Sequence, residues 1–94
     1  MGPPARPKQL ATSAHFVIEV ADSSVRDDRV VKGLLYAANG IPEYWLVNLP
    51  EQIVEVYSAI AGGRYQEMVR VGRGGVLVPQ AFPDVAIRVD DFLP

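Results

Sequence analysis

The apolar residues of this chain fall into short runs whose spacing changes along the sequence. A first run, residues 15–21, is followed by a polar turn, a segment with helical spacing, and a second run at residues 44–47. Two strands joined by a helix of this length are expected to lie parallel, with a right-handed connection. The pattern therefore predicts an α/β fold in which a mixed sheet is built around one strand-helix-strand unit.

A carboxylate interrupts the first apolar run. Strand side chains alternate, so Glu19 shares a face with His15, Val17 and Ala21, while the opposite face is entirely apolar. Burying an unpaired charge costs roughly several kcal/mol. Either this face is exposed to water, as half of many antiparallel sheets is, or Glu19 belongs to a functional site.

The intervening helix is predicted to start at about Val25, after a cap at Ser24, and to end at Asn39 and Gly40. Its apolar positions form one stripe, which is predicted to pack on the sheet. The stripe consists of Val30, Val31, Leu34, Leu35 and Ala38. Lys32 lies on the flank of this stripe, one turn after Asp28.

The second half of the chain is predicted to be β-rich. Residues 53–58 and 65–71 alternate around Gly62 and Gly63, which predicts a β-hairpin. Short strands are predicted at residues 76–78 and 85–89, and a closing turn is anchored by Phe92. Residues 1–13 contain three prolines and no hydrophobic period, so they are predicted to form a flexible arm, which leaves 14–94 as the domain.

Composition restricts the chemistry. The net charge of −2 argues against binding nucleic acid by bulk electrostatics, and no apolar run approaches the roughly 20 residues that span a bilayer. A cytoplasmic protein without a membrane partner is expected. The absence of cysteine and the single histidine, His15, exclude thiolate zinc sites, thiol nucleophiles and sites that need two histidines. A hard metal ion held by carboxylates is the metal chemistry that remains.

Glu19 and Lys32 are the candidate catalytic residues. Metal-dependent hydrolysis of a phosphodiester uses carboxylates to hold the ion and a lysine to orient water or to stabilise developing negative charge. The simpler alternative is that Lys32 forms only a surface pair with Asp28, worth a few tenths of a kcal/mol by rough estimate.

An ordered series of fragments resembles a known family. The fragments are Phe-Val-Ile-Glu-Val (16–20), Ser-Ser (23–24), Asp-Arg (28–29), Lys32, Leu-Tyr-Ala (35–37), Gly-Ile-Pro-Glu-Tyr-Trp-Leu-Val-Asn (40–48), Val-Glu-Val-Tyr (54–57), Gly-Arg-Tyr (63–65) and Phe-Pro-Asp-Val-Ala-Ile (82–87). Over residues 14–94 the chain resembles the Uma-two family, bacterial proteins described as putative restriction endonucleases with a PD-(D/E)XK nuclease fold. The resemblance implies DNA as the substrate, Mg²⁺ or Mn²⁺ bound by Glu19, and Lys32 as the lysine of the nuclease motif.

The chain also departs from the family pattern. His15 stands where an aspartate is usual, which makes it a candidate second metal ligand, and Val31 and Asn48 replace a glutamate and an aspartate. The strand with the first metal-binding aspartate is not recognised, so we expect the C-terminal half of a nuclease domain, weak or inactive alone. An open edge on the first strand would then favour a homodimer. The alternative is a non-catalytic dimeric relic that acts as a binding or regulatory module.

Overall fold

A five-stranded mixed sheet forms the centre of the computed structural model, which describes residues 9–12 (backbone alone), 15–23 and 25–94. Its strands lie in chain order: β1 (Gln9–Thr12), β2 (Phe16–Ala21), β3 (Glu43–Asn48), β4 (Ile53–Ala61) and β5 (Arg64–Gly72). β2 and β3 are parallel, and the other neighbouring strands are antiparallel. The predicted α/β fold with a mixed sheet is confirmed.

The connection from β2 to β3 is helical throughout, as predicted, but it is not a regular α-helix. It consists of α1 (Val25–Asp27), a π-helical turn (Asp28–Lys32) and α2 (Gly33–Ala38). The Gly33 amide donates to the Asp28 carbonyl oxygen, which is the five-residue spacing of a π-turn. The segment ends at Gly40, whose φ of 72° is in the region that favours glycine.

The larger hydrophobic core lies on the face of the sheet opposite the helical segment. Phe16, Ile18 and Trp45 contribute to it, and it is covered by the small sheet β6 (Val76–Leu77) and β7 (Ile87–Arg88) and by a 3-10 turn (Val89–Asp91). The ring of Phe92 lies edge-on to Trp45, with centroids 6.3 Å apart. The predicted anchoring of the C-terminal turn by Phe92 is therefore confirmed.

The β4–β5 hairpin is also confirmed. Its two-residue turn consists of Gly62 and Gly63, both with positive φ, and strand pairing resumes at Ala61 and Arg64. Positive φ at both central residues is the type I′ geometry that matches the twist of antiparallel strands, which explains the two glycines.

The predicted orientation of the helix is wrong. Val30, Val31, Leu34 and Leu35 are exposed, whereas Asp28, Gly33 and Ala37 are buried against the sheet. The sheet surface under the helix carries two fully buried carboxylates, Glu19 and Glu55. Leaving either carboxylate buried without a counter-ion would cost several kcal/mol by rough estimate, whereas burying a valine or leucine side chain gains only about 1.5–3 kcal/mol. The side of the helix that carries Arg29 and Lys32 therefore faces the sheet.

Residues 9–12 of the predicted arm form a β-strand in the structure. β1 pairs antiparallel with β2, with Gln9 opposite Glu19 and Thr12 opposite Val17. The remaining residues of the predicted arm lie outside the described part of the chain. β1 occupies the strand edge that was expected to be open, so a second copy cannot pair there without displacing it.

Candidate active site

Glu19 lies at the centre of the surface that faces the helical segment. Its neighbours on that face of β2, Val17 and Ala21, belong to the smaller core together with Tyr44 and Leu46 of β3. Glu19 is fully buried, although strand alternation alone allowed it to face water. Its face of the sheet is covered because β2 is an interior strand with the helix above it.

Lys32 lies directly opposite Glu19. Its Nζ is 3.2 Å from both carboxylate oxygens and donates a hydrogen bond to Oε1, while Oε2 has no hydrogen-bond partner among the described residues. The same ammonium lies 3.4 Å from Oδ1 of Asp28, one helical turn earlier. The structure therefore brings the two predicted catalytic residues together, and it adds Asp28 as a buried third member.

Electrostatics keep Lys32 charged. Burial lowers the pKa of the Lys32 amine, but the hydrogen bond that Lys32 donates to Glu19 and the negative charges of Glu19 and Asp28 raise it by more, so the pKa is above its ordinary value. At neutral pH the amine is an ammonium ion. It can stabilise negative charge or orient a water molecule, but it cannot act as a general base.

The π-helical turn positions these side chains. The carbonyl oxygen of Asp28 accepts two hydrogen bonds, one from the Gly33 amide and one, at 3.4 Å, from the buried Tyr44 hydroxyl of β3. This second hydrogen bond links the turn to β3, the strand next to the one that carries Glu19. π-Turns inside helices are frequent at functional sites, and here the turn holds Asp28 and Lys32 above the sheet.

His15 is not brought to this site. It is exposed directly before β2, four residues before Glu19, which corresponds to about 13 Å along a strand. It borders a separate pocket with Pro42, Gln80 and Ala81. The two predicted metal ligands therefore cannot bind one ion.

The remaining carboxylates fit a magnesium-type site only in part. Among the described residues no group of three or more His, Cys, Asp or Glu side chains could hold a metal ion. Mg²⁺ is commonly bound by one or two carboxylates, with waters and substrate phosphates as the other ligands. Glu19 and Asp28 match that donor set, and Oε2 of Glu19 is a buried oxygen that accepts no hydrogen bond, with the Lys32 ammonium 3.2 Å away.

A second ion pair with a fully buried carboxylate, which the sequence analysis did not single out, lies beside the first. Arg29 donates to both carboxylate oxygens of Glu55, at 2.9 and 2.6 Å. Glu55 also accepts from Tyr57 at 2.5 Å and from Asn48 at 3.1 Å. Burial raises the pKa of Glu55, but these donors outweigh it and lower the pKa to about 2. The sequence signal was a second carboxylate inside an apolar strand, Ile-Val-Glu-Val-Tyr.

Four tyrosines surround the two ion pairs. Tyr44 lies at their centre, with ring centroids 5.2 Å from Tyr36, 5.5 Å from Tyr57 and 6.3 Å from Tyr65. Burial, followed by the charge of Glu19, raises the pKa values of Tyr36 and Tyr44, so both phenols stay neutral. The four packed tyrosine rings lower the local polarity and strengthen the interactions between the charged side chains beside them.

Comparison with known proteins identifies one family. The model of the Uma-two family (Uma2), described as "Putative restriction endonuclease", matches residues 3–90. The match includes β1, which the resemblance over residues 14–94 had left out. No curated protein matches the chain. In the described part of the structure, no helix has the length and apolar character needed to cross a membrane. Because the family model matches nearly all of the 94 residues, this chain belongs to the Uma2 family.

Proposed function

We propose that the chain is a metal-dependent DNA endonuclease whose site is formed by Glu19, Asp28 and Lys32. The observation that carries the proposal is a fully buried strand carboxylate, Glu19, that lies 3.2 Å from a helix lysine and has one oxygen that accepts no hydrogen bond. Membership of a family whose description is "Putative restriction endonuclease" supports the same reaction class. Hydrolysis of a phosphodiester needs this combination of negative and positive groups.

Each residue has a separate role in the proposed reaction. Glu19 and Asp28 would hold Mg²⁺ or Mn²⁺, and the bound ion supplies Lewis-acid stabilisation of the phosphate. Lys32 stabilises the additional negative charge of the phosphorus centre, because its raised pKa keeps it an ammonium ion. Tyr36 and Tyr44 exclude water from one side of the carboxylate pair.

Nicking of supercoiled plasmid tests this proposal. The protein with Mg²⁺ or Mn²⁺ is compared with Glu19→Gln and Lys32→Met, and Glu67→Gln serves as the control because Glu67 is exposed on β5. Each site substitution is expected to reduce nicking by at least about 100-fold, while the control retains wild-type activity. Nicking that survives both site substitutions would assign the activity to another source.

The second candidate is a non-catalytic module that binds a partner or regulates one. The observation that favours it is that the Lys32 ammonium contacts both Glu19 and Asp28, so their charges are partly compensated without a metal ion. Titration with Mn²⁺, followed by electron paramagnetic resonance, separates the two candidates. Binding that Glu19→Gln abolishes supports the nuclease, and no binding at millimolar Mn²⁺ supports the module.

A further inference from the structure

A groove of about 230 Å³ lies between the helical segment and the β4–β5 hairpin. Two arginines and two tyrosines line it together with aliphatic residues of the helix: Arg29, Arg64, Tyr57, Tyr65, Val30 and Leu34. None of the described residues that line this groove is acidic, whereas the groove at the start of the helical segment contains Asp22 and Glu51. The groove beside the hairpin is therefore suited to a negatively charged ligand.

Arg29 contributes a guanidinium group whose orientation is fixed. Its Nε and one terminal nitrogen donate to the two carboxylate oxygens of Glu55, and neither hydrogen bond uses the second terminal nitrogen. Glu55 is fully buried, whereas the Arg29 side chain is 40% exposed, so the ion pair presents its positive end to the surface. A guanidinium held in this way is pre-organised to donate to a phosphate, because little side-chain entropy is lost when the ligand binds.

Arg64 adds a positive charge that no carboxylate compensates. It is exposed at the first position of β5, and it forms no ion pair with another described residue. The next residue anchors this wall of the groove, because the Tyr65 hydroxyl donates to the carbonyl oxygen of Ile41, at 2.7 Å, directly after the helical segment. The groove thus combines anchored walls with one net positive charge.

We propose that this groove binds a backbone phosphate of DNA through Arg29 and Arg64, at a distance from the phosphate that Lys32 contacts. The inference rests on the proposed function, which supplies DNA as the ligand. Val30 and Leu34 border the groove and are 54 and 42% exposed, so they can contact the apolar face of the deoxyribose next to the bound phosphate. A contact of this kind positions the DNA without reading its sequence.

The distance between the groove and the candidate active site fits a DNA strand. Glu19 and Glu55 are both in register with Leu46 of β3, so they lie two strand spacings, or about 10 Å, apart. Their partners Lys32 and Arg29 lie above them on the same side of the sheet. One DNA strand carries a charge about every 3.4 Å along the helix axis, so a strand with one phosphate at Lys32 has others that can reach Arg29.

Fluorescence anisotropy of a short labelled DNA duplex, in EDTA so that the DNA stays intact, tests the groove. Arg64→Gln is expected to weaken binding at least about fivefold at low salt, and to lower the slope of log Kd against log salt concentration by about one. Arg88→Gln is the matched control, because it removes the same charge from a 72% exposed arginine on β7, on the other face of the sheet. The control is expected to keep the wild-type slope.

Two further measurements test the kind of contact. Arg29→Lys keeps a positive charge beside Glu55 but removes the planar fork, so it is expected to weaken DNA binding as well, and thermal unfolding verifies that the variant is folded. Two duplexes of unrelated sequence should lose the same affinity in Arg64→Gln, because a phosphate contact is independent of the bases.

The proposal is overturned by a wild type that does not bind DNA, or by Arg64→Gln with unchanged affinity and salt dependence. An equal loss in Arg88→Gln would reduce the effect to overall charge, and a loss with only one duplex would indicate a base contact; both reject the phosphate site. The nicking assay is independent of these results. Nicking with no contribution from Arg64 rejects the groove alone, whereas binding that depends on Arg64 without nicking supports the groove and contradicts the nuclease.

Discussion

Two glutamates determine how the helical segment packs on the sheet. Glu19 and Glu55 are both fully buried on the surface of the sheet under the helix, and each is bound by one cation of the π-helical turn. A buried pair of this kind contributes little net stability by itself, but removing one member leaves the other charge buried without compensation. The pairs therefore determine which face of the helix lies against the sheet.

Lys32→Met is expected to lower the free energy of unfolding by about 3–5 kcal/mol, because the Glu19 carboxylate would remain buried without its counter-ion. The double variant Glu19→Gln, Lys32→Met is expected to be more stable than Lys32→Met alone. Urea denaturation followed by tryptophan fluorescence measures both values. Equal destabilisation by the single and double variants would contradict this account of the pair.

The ionisation of Glu55 is expected to make the free energy of unfolding depend on pH in the acid range. Its pKa is about 2 in the folded protein and near the ordinary value of 4.5 in the unfolded chain, so its contribution is complete above about pH 4.5 and is lost as pH falls toward 2. Glu55→Gln is expected to be less stable than the wild type at pH 7, by roughly 2–4 kcal/mol. The difference should shrink as pH falls through this window, which urea denaturation at several pH values will measure.

At the scale of elements, the π-helical turn directs the cationic face of the helix toward the sheet. Asp28, Arg29 and Lys32 all lie within the turn, and the Asp28 carbonyl is fastened to Tyr44 of β3. Gly33 follows immediately, and its lack of a side chain leaves room beside Tyr57 and Tyr65 of the hairpin. The helix thus approaches the sheet through polar and small residues, while its larger aliphatic side chains face outward.

Gly33 and Gly75 are expected to respond to alanine in opposite directions. Gly33 has helical dihedral angles and open space where a Cβ would lie, so Gly33→Ala should stabilise the protein by about 0.4–1 kcal/mol. A Cβ on Gly75 would collide with Val71 and with the backbone oxygen of Gly72, so Gly75→Ala should be destabilising. Thermal unfolding of both variants checks the prediction, and destabilisation by Gly33→Ala would contradict it.

For the whole molecule, β1 converts β2 from an edge strand into an interior strand. β2 is paired antiparallel on one side and parallel on the other, so the strand that carries Glu19 is held from both directions. An interior position gives a site residue a more rigid backbone than an edge would, because both sets of backbone groups are hydrogen-bonded. The free edge at the hairpin end of the sheet is β5.

Hydrogen exchange is expected to distinguish these strands. The backbone amides of Phe16–Ala21 should exchange slowly, since β2 has partners on both sides, whereas those amides of β5 that point away from β4 should exchange much faster. Exchange followed by nuclear magnetic resonance resolves the two strands. Fast exchange throughout β2 would show that β1 does not stay paired with it.

The sequence by itself determined which residues form the elements and which of them share a face. Alternation placed Val17 on one face of β2 and Phe16 and Ile18 on the other, as the two cores confirm. It also placed Glu19 with Val17, and the hydrogen bond from Lys32 of the helix confirms that Glu19 lies on the helix side. The hairpin was predictable from Gly62 and Gly63, because their backbone conformation depends on local sterics. These properties depend on neighbours in the chain.

Only the tertiary structure decided which way the helix faces and what lies beside β2. Helical spacing correctly grouped Val30, Val31, Leu34 and Leu35 on one side of the helix. Which side is buried depends instead on two carboxylates in the strands, Glu19 and Glu55, which lie 13 and 26 residues along the chain from the helix cations that they bind. Likewise, nothing local in Gln9–Thr12 predicts a strand, because its stability comes from pairing with β2. The Glu19–Lys32 contact was inferable from the family resemblance and the Asp28–Lys32 pair from its four-residue spacing, whereas the burial of Asp28 and the Arg29–Glu55 pair required the three-dimensional arrangement.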